Sequence, residues 1–162
     1  SLFEGGIRVP GFVTWPGVVP AKTVCDQPVI GMDIFATAAE AMGAPVPSDR
    51  TIDGRSWYPL FKDPNQPVHE SLFFEWQEQR AVRHGRWKFV ENGLFDQHID
   101  RHNRATGENV LYLADVEADP GEQKNVRPDH PEVAAKLRAM HDAWRQAIAD
   151  DLTASPEIPL GP

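Results

Sequence analysis

The sequence has only one cysteine, Cys25, among its 162 residues, so cysteine usage provides no internal disulfide and indicates no redox compartment. No apolar run approaches the roughly 18 residues that a membrane-spanning helix needs. Basic residues are scarce, with 16 Lys and Arg against 24 Asp and Glu and a formal net charge of −8. Binding to a nucleic-acid backbone depends on clustered Lys and Arg, so this deficit argues against such a partner. A small molecule or a protein is the expected partner.

The residues that are present are typical of a globular chain. Hydrophobic residues make up 41% of the sequence, and the five Trp and eight Phe supply large side chains for a core. We therefore expect packed structure rather than disorder. Ser1-Leu2-Phe3 leads directly into the Gly5-Gly6 turn, without a polar leader. We interpret residue 1 as a cut in a longer chain.

The first third of the sequence predicts a strand followed by a helix. Residues from Ile7 to Trp15 are nearly all apolar and lie between a Gly-Gly and a Pro-Gly turn, which predicts a short strand buried on both faces. The stretch from Asp33 to Met42 predicts a helix with Asp33 as its N-cap and Gly43 just after its end. Strand followed by helix is the repeating unit of an α/β sheet, so we expect residues 1–68 to form the trailing edge of one.

Residues 69–152 predict a small antiparallel sheet covered by a helix. The predicted strands are Ser71–Trp76, Arg80–His84, Arg86–Glu91 and Asn109–Ala114. His84-Gly85 fits a two-residue hairpin turn. Pro131 suits the first position of a final helix. Its apolar face, which should cover the sheet, contains Val133, Leu137, Met140, Trp144 and Ile148. Residues 153–162 are predicted to be a loose tail.

Four segments between Glu4 and Asn125 resemble, in order, the C-terminal portion of the sulfatases of the alkaline-phosphatase superfamily. They are Glu4-Gly5-Gly6-Ile7-Arg8-Val9-Pro10 with Trp15-Pro16-Gly17, then Asp33-Ile34-Phe35-Ala36-Thr37, then Asp53-Gly54-Arg55-Ser56 with Pro59-Leu60, and last Gly85-Arg86-Trp87-Lys88 with Leu111-Tyr112-Leu113 and Asp119-Pro120-Gly121-Glu122. Ala36 departs from the family pattern, which has a proline there.

This resemblance implies a fold class and a reaction. The fold is the trailing edge of an alkaline-phosphatase-like α/β sheet, followed by a small antiparallel sheet packed against a C-terminal helix. The reaction is hydrolysis of sulfate esters or sulfamates by a formylglycine, with calcium and basic side chains holding the sulfate. The substrate would be a small-molecule or saccharide sulfate ester.

The same resemblance implies that the reacting groups lie upstream of Ser1. Formylglycine is made in a C/S-x-P-x-R motif, whereas Cys25 is followed by Asp26-Gln27-Pro28 and lacks the arginine. The family's calcium ligands and active-site lysine precede the Glu-Gly-Gly run. We therefore expect no catalytic residue and no bound calcium in residues 1–162, which should be inactive alone.

Glu4 and Arg8 are candidates for supporting the sulfate pocket. The Gly5-Gly6 pair permits a tight turn that brings both side chains near the edge of the sheet. The alternative, which we favour from the sequence, is a buried Glu-Arg pair that fixes a strand. We interpret Asp53-Gly54-Arg55-Ser56 and Asp119-Pro120-Gly121-Glu122 as turns without chemistry.

Residues 92–108 are polar and lack a regular period, which predicts a long loop. Four of them are metal-ligand types, namely Asp96, His98, Asp100 and His102. Their spacing matches no specific ligand pattern, so we interpret them as a solvated loop. If the loop folds over a substrate cleft, four residues are candidates for contacting the anionic or sugar part of the substrate, namely His98, Arg101, His102 and Arg104.

Two other classes of function stay open at this level. A related phosphate or phosphonate ester hydrolase would share the sheet and differ in its upstream nucleophile. A non-catalytic interaction module would bind a partner, or a second copy, through an exposed strand edge near Val13. The sequence indicates no localisation.

Overall fold

The computed structural model describes residues 1–93 and 107–154, with residues 152–154 described by their backbone alone. The helices are α1 (Glu4–Ile7), α2 (Asp33–Met42) and α3 (Pro131–Ala154), and the strands are β1 (Ser71–Trp76), β2 (Gln79–His84), β3 (Trp87–Glu91) and β4 (Leu111–Asp115). One compact unit contains residues 1–9 and 71–153, and another contains residues 10–70. Within the described ranges, no helix has both the length and the apolar character to cross a bilayer.

The four strands form one antiparallel sheet in the order β1-β2-β3-β4, which confirms the predicted meander. The hairpin turn between β2 and β3 is Gly85-Arg86 rather than His84-Gly85, since His84 pairs with Trp87. Gly85 has a φ of 56°, the left-handed conformation that suits glycine in tight turns. His84 is therefore the last strand residue, and its Nδ1 lies 2.8 Å from the Ser71 hydroxyl.

Helix α3 covers one face of the sheet, as predicted. Its Ala134 and Leu137 join Phe89 and other strand residues in a buried cluster. Trp144 stacks on Phe73 of β1, with ring centroids 5.4 Å apart. Burying a side chain such as Leu137 contributes about 1.5 to 3 kcal/mol. The prediction is wrong for Ile148, which is exposed, and α3 continues through residues 153 and 154, which we had expected in the tail.

The N-terminal residues cover the opposite face of the sheet. Leu2 is buried with Val90 and Tyr112, and Phe3 meets the Tyr112 ring edge-on at 5.3 Å. Residues 1–9 consequently belong to the same compact unit as the sheet. This packing brings the Glu-Gly-Gly run, which opens the chain, onto strands formed by residues 71–115.

The predicted strand from Ile7 to Trp15 is wrong. Residues 8–15 have no helical or strand structure, and Glu4–Ile7 instead form the single turn α1. A strand buried on both faces needs neighbouring strands, whereas the strands of the described residues pair only with one another. Phe12 is accordingly 93% exposed, and Val13 does not lie on a strand edge.

Helix α2 has the predicted bounds, but the side that it buries does not contain its largest apolar side chains. Its buried residues are Asp33, Ala36, Thr37 and Ala39. The larger apolar side chains Ile34, Phe35 and Met42 are exposed. Gly43 ends the helix in the left-handed conformation, as predicted, but Met32 occupies the N-cap position in place of Asp33.

Candidate functional site

Five charged side chains meet on the sheet face that the N-terminal residues cover, and we name this group the Glu4 cluster. Its members are Glu4, Arg8, Arg83, Lys88 and Glu122. Arg83 and Lys88 are paired across β2 and β3 and alternate with residues that face α3. Glu4 comes from α1, and Glu122 from the loop after β4. The cluster thus joins parts of the chain that are distant in sequence.

Lys88 is the centre of the cluster. Its side chain is 0% exposed, and its Nζ lies 2.8 Å from Glu4 Oε1 and 3.1 Å from Glu122 Oε1. The backbone N–H of Glu4 also donates a hydrogen bond to Glu122 Oε2. A buried charge requires such partners, since burying it alone would be strongly unfavourable. Both carboxylates are therefore held by one buried ammonium, and the negative charge that it leaves over is next to Arg83 and Arg8.

The second carboxylate oxygen of Glu4 faces two guanidinium groups. Glu4 Oε2 lies 3.5 Å from Arg83 Nη1 and 3.9 Å from Arg8 Nη1. The Arg8 side chain is 58% exposed, whereas that of Arg83 is 22% exposed. Arg8 therefore has part of its cationic surface available to an anion. The Glu4-Arg8 pair expected from the sequence is present, although Lys88 is the closer partner of Glu4.

Glu122 is held in an unusual backbone conformation. Its φ is 50°, which is uncommon for a residue other than glycine. The Tyr112 hydroxyl donates a hydrogen bond of 2.8 Å to the Glu122 carbonyl oxygen. Burial raises the pKa of the Glu122 carboxyl above its ordinary value, and the Lys88 ammonium opposes that rise. Burial also raises the pKa of Tyr112 to about 12.

Arg83, Lys88 and Glu122 are the members of the cluster that sequence reasoning missed. We had interpreted the segment ending at Glu122 as a turn without chemistry. Asp119 does form that turn, since its carboxylate accepts the N–H groups of Gln123 and Lys124, but Glu122 is a buried ion-pair partner. The available signal was a lysine at an inward position of a strand, where a buried carboxylate partner is required.

Two glycines let the N-terminal segment approach its neighbours closely. A Cβ added at Gly6 would lie 2.3 Å from the Ser1 carbonyl oxygen, and one at Gly93 would lie 2.5 Å from the Phe3 ring. Beside this segment is a cleft of about 490 Å³, lined in part by Phe3, Gly6 and Asn109. Gly93 and Asn109 thus lie next to the segment that contains Glu4.

The four candidate substrate-contacting residues lie outside the described residues, as do the two aspartates considered with them. They are His98, Arg101, His102 and Arg104, together with Asp96 and Asp100. Their proposed contacts therefore stay predictions.

A second polar cluster, in residues 10–70, is centred on Asp33. Its carboxylate is fully buried and accepts the N–H of Ile30 at 2.8 Å and that of Arg55 at 2.9 Å. His69 Nε2 lies 2.8 Å from Asp33 Oδ2. Thr37 Oγ1 accepts the Trp57 N–H at 3.1 Å. Hydrogen bonds thereby join the Asp33 and Gly54 segments.

The described residues do not fit a calcium site or a formylglycine precursor. No three His, Cys, Asp or Glu side chains converge as metal ligands in residues 1–93 and 107–151. The exposed Cys25 donates its thiol to the Pro64 carbonyl oxygen at 3.2 Å and lacks the arginine that the modification motif needs.

The family model for the C-terminal part of N-sulphoglucosamine sulphohydrolase matches residues 1–149. The chain belongs to this family. Human steryl-sulfatase is 34% identical to this chain, over 97% of this chain and 30% of that protein. The chain thus spans less than a third of the length of human steryl-sulfatase. The sulfatase resemblance is confirmed.

Solved structures show the same fold. Ps i-CgsB in complex with k-i-k-neocarrahexaose aligns with a TM-score of 0.62 at 21% identity, covering 80% of this chain and 27% of that one. A protein bound to its substrate D-glucosamine-2-N,6-O-disulfate aligns with a TM-score of 0.52 at 19% identity, covering 74% and 24%. At these identities the similarity establishes fold alone, and the predicted fold class is confirmed.

Proposed function

We propose that this chain is the C-terminal part of a sulfatase that hydrolyses sulfate esters or sulfamates. The observation that carries the proposal is that the sulphohydrolase C-terminal family matches residues 1–149. The chain also covers 30% of human steryl-sulfatase. Among the described residues, no three His, Cys, Asp or Glu side chains come together as a metal site. Nucleophile, calcium and formylglycine would then be supplied by an upstream part, and residues 1–162 alone would be inactive.

Residues 1–68 would complete the catalytic α/β domain of such a protein, with residues 69–152 as its C-terminal subdomain and residues 153–162 as a tail. The support is a set of large apolar side chains that residues 10–70 leave exposed. These include Phe12, Val24, Ile34, Phe35 and Met42. Exposed apolar surface of this kind is typical of a site that another part of a protein covers.

Glu4 and Arg8 would support the sulfate pocket from beside it. Arg8 presents a partly exposed guanidinium, and Glu4 holds that group in place from a buried position. A guanidinium suits an oxyanion because its N–H groups match two oxygens at once. The proposed role is electrostatic support of sulfate binding, while covalent chemistry occurs on the upstream groups.

The substrate would be a small-molecule or saccharide sulfate ester. Two proteins of the same fold are bound to saccharides, and one of these saccharides is a sulfated glucosamine. Gly93 and Asn109, which lie on either side of residues 94–106, are both near the segment that contains Glu4. His98, Arg101, His102 and Arg104 would then contact the anionic or sugar part of the substrate.

The test is an assay of the intact protein with 4-nitrophenyl sulfate, 4-nitrophenyl phosphate and a sulfated monosaccharide. Turnover of a sulfate ester, together with none by purified residues 1–162, supports the proposal. Preferential turnover of the phosphate would assign the chain to the related phosphate or phosphonate ester hydrolases. Measurable sulfate hydrolysis by residues 1–162 would show that the chemistry is wrongly placed upstream.

The exposed apolar side chains also favour a second candidate, a non-catalytic interaction module that includes self-association. The predicted strand edge near Val13 no longer supports it, because residues 8–15 are not a strand. Solution mass measured by light scattering distinguishes the two. Concentration-dependent dimers of the intact protein, without sulfate turnover, would favour the module.

A further inference from the structure

Lys88 is a residue that packing of the sheet does not explain. It is fully buried at an inward position of β3, opposite Ala114 of β4. Methionine would fill similar space without removing an ammonium from water. A buried ion cluster often adds little net stability compared with apolar residues of similar volume. Such a cluster does fix the positions of its side chains, since each charge must stay within reach of its partners.

Lys88 fixes the position of the Glu4-Gly5-Gly6 turn. Glu4 precedes Lys88 by 84 residues, so their contact joins the N-terminal segment to the sheet. Glu122, which is itself paired with Lys88, holds the same turn through a second contact, by accepting the backbone N–H of Glu4. Its left-handed φ of 50° shows that the loop is held in a sparsely populated conformation where its carboxylate reaches both groups.

The contacts continue from Glu4 to Arg8. Lys88 occupies Glu4 Oε1, which leaves Oε2 facing Arg83 Nη1 at 3.5 Å and Arg8 Nη1 at 3.9 Å. The backbone N–H of Arg8 donates to the Glu4 carbonyl oxygen at 2.8 Å. Both the main chain and the side chain of Arg8 are therefore placed by Glu4. The exposed part of the guanidinium is available to a ligand.

We propose that Lys88 and Glu122 are positioning residues that hold the Glu4-Gly5-Gly6 turn, so that Arg8 is aimed at the sulfate group of the substrate. This inference rests on the proposed role of Glu4 and Arg8 in the sulfate pocket. It assigns to the C-terminal sheet a part in the reaction, although none of its residues needs to touch the reacting atoms.

The test uses the full-length enzyme with three variants. Lys88→Met removes the buried ammonium and leaves two buried carboxylates without it. Lys88→Met/Glu122→Gln removes one positive and one negative charge together, so the cluster keeps its charge balance, while the Gln carbonyl can still accept the Glu4 N–H. Lys136→Met, at an exposed position of α3, is the matched control. Each is measured for kcat and KM with 4-nitrophenyl sulfate and for Tm.

The double variant is expected to keep a Tm within about 2 °C of the wild type, because its charges remain balanced. Its kcat should still be lower by about 10- to 100-fold, since small misplacement of a group that holds the substrate is costly to the rate. KM should also rise, because Arg8 is proposed to support binding of the sulfate group and not only the transition state. Lys136→Met should match the wild type.

A double variant that recovers both Tm and kcat would overturn the inference, because the cluster would then act on stability alone. Failure of the double variant to fold would overturn it for the same reason. Wild-type enzyme without sulfate turnover would overturn the proposed function and this inference together. Wild-type turnover with unchanged kcat in the double variant would overturn the inference only.

Discussion

Replacing Gly54 with alanine tests how residues 51–57 are held against α2. A Cβ at this position would lie 2.1 Å from the Met32 carbonyl oxygen and 2.7 Å from its carbonyl carbon. These are backbone atoms at the start of a helix, and they cannot rotate away as the end of a side chain can. The segment that contains Gly54 must therefore move outward.

That movement would break two hydrogen bonds. The Arg55 N–H donates to the Asp33 carboxylate at 2.9 Å, and the Trp57 N–H donates to Thr37 Oγ1 at 3.1 Å. A bond to a charged group contributes about 1.5 to 3 kcal/mol and a neutral one about 0.5 to 1.5 kcal/mol. Overpacking adds about 1 to 3 kcal/mol. The expected loss is roughly 3 to 7 kcal/mol, a large share of a typical free energy of unfolding.

The assay combines thermal unfolding with hydrogen exchange of the peptide spanning residues 51–58. Gly31→Ala is the matched control, since a Cβ there would have no atom within 4 Å. Gly54→Ala should lower Tm and abolish protection of the Arg55 and Trp57 amides, while Gly31→Ala should leave both unchanged. Wild-type protection in Gly54→Ala would refute the reasoning, because the close approach would not then be required.

Two further predictions concern α3. Burial lowers the pKa of His141, so its contribution to stability is present above the ordinary value of 6.5 and is lost as pH falls through the lower folded value. His141→Gln should flatten the part of the stability profile below pH 6.5 in urea unfolding, and an unchanged profile would exclude His141 as its cause. Trp144→Ala should cost about 2 to 3 kcal/mol through loss of its stacking on Phe73. The control Trp76→Ala, at a 61% exposed position, should change stability little, and equal losses would contradict a specific role for the stack.

Local patterns predicted the C-terminal sheet and helix well. Each strand there alternates between two faces, and the apolar positions of α3 repeat at helical spacing, so the relevant signals lie within a few residues of one another. The same reasoning failed for residues 7–15, because an apolar run becomes a strand only where other strands pair with it. No such strand is formed by the described residues.

The Glu4 cluster shows a different limit of sequence reasoning. Glu4 and Arg8 were found as a pair because the Gly5-Gly6 turn lies between them and can bring both side chains to the same place. Lys88 and Glu122 are 84 and 118 residues from Glu4, and no local pattern reports a contact over such distances. Family motifs marked all four positions but did not indicate that they meet. Only the folded structure shows that these four residues meet.

The long reach of Glu4 also has a consequence for synthesis. Glu4 emerges from the ribosome well before its partners, since Glu122 follows it by 118 residues. At bacterial or eukaryotic translation rates of about 5 to 20 residues per second, that interval is roughly 6 to 24 s. For that time the Glu4 carboxylate and the apolar residues beside it have no sheet to dock on. The nascent segment therefore depends on its own solubility, or on a chaperone, until Glu122 has been made.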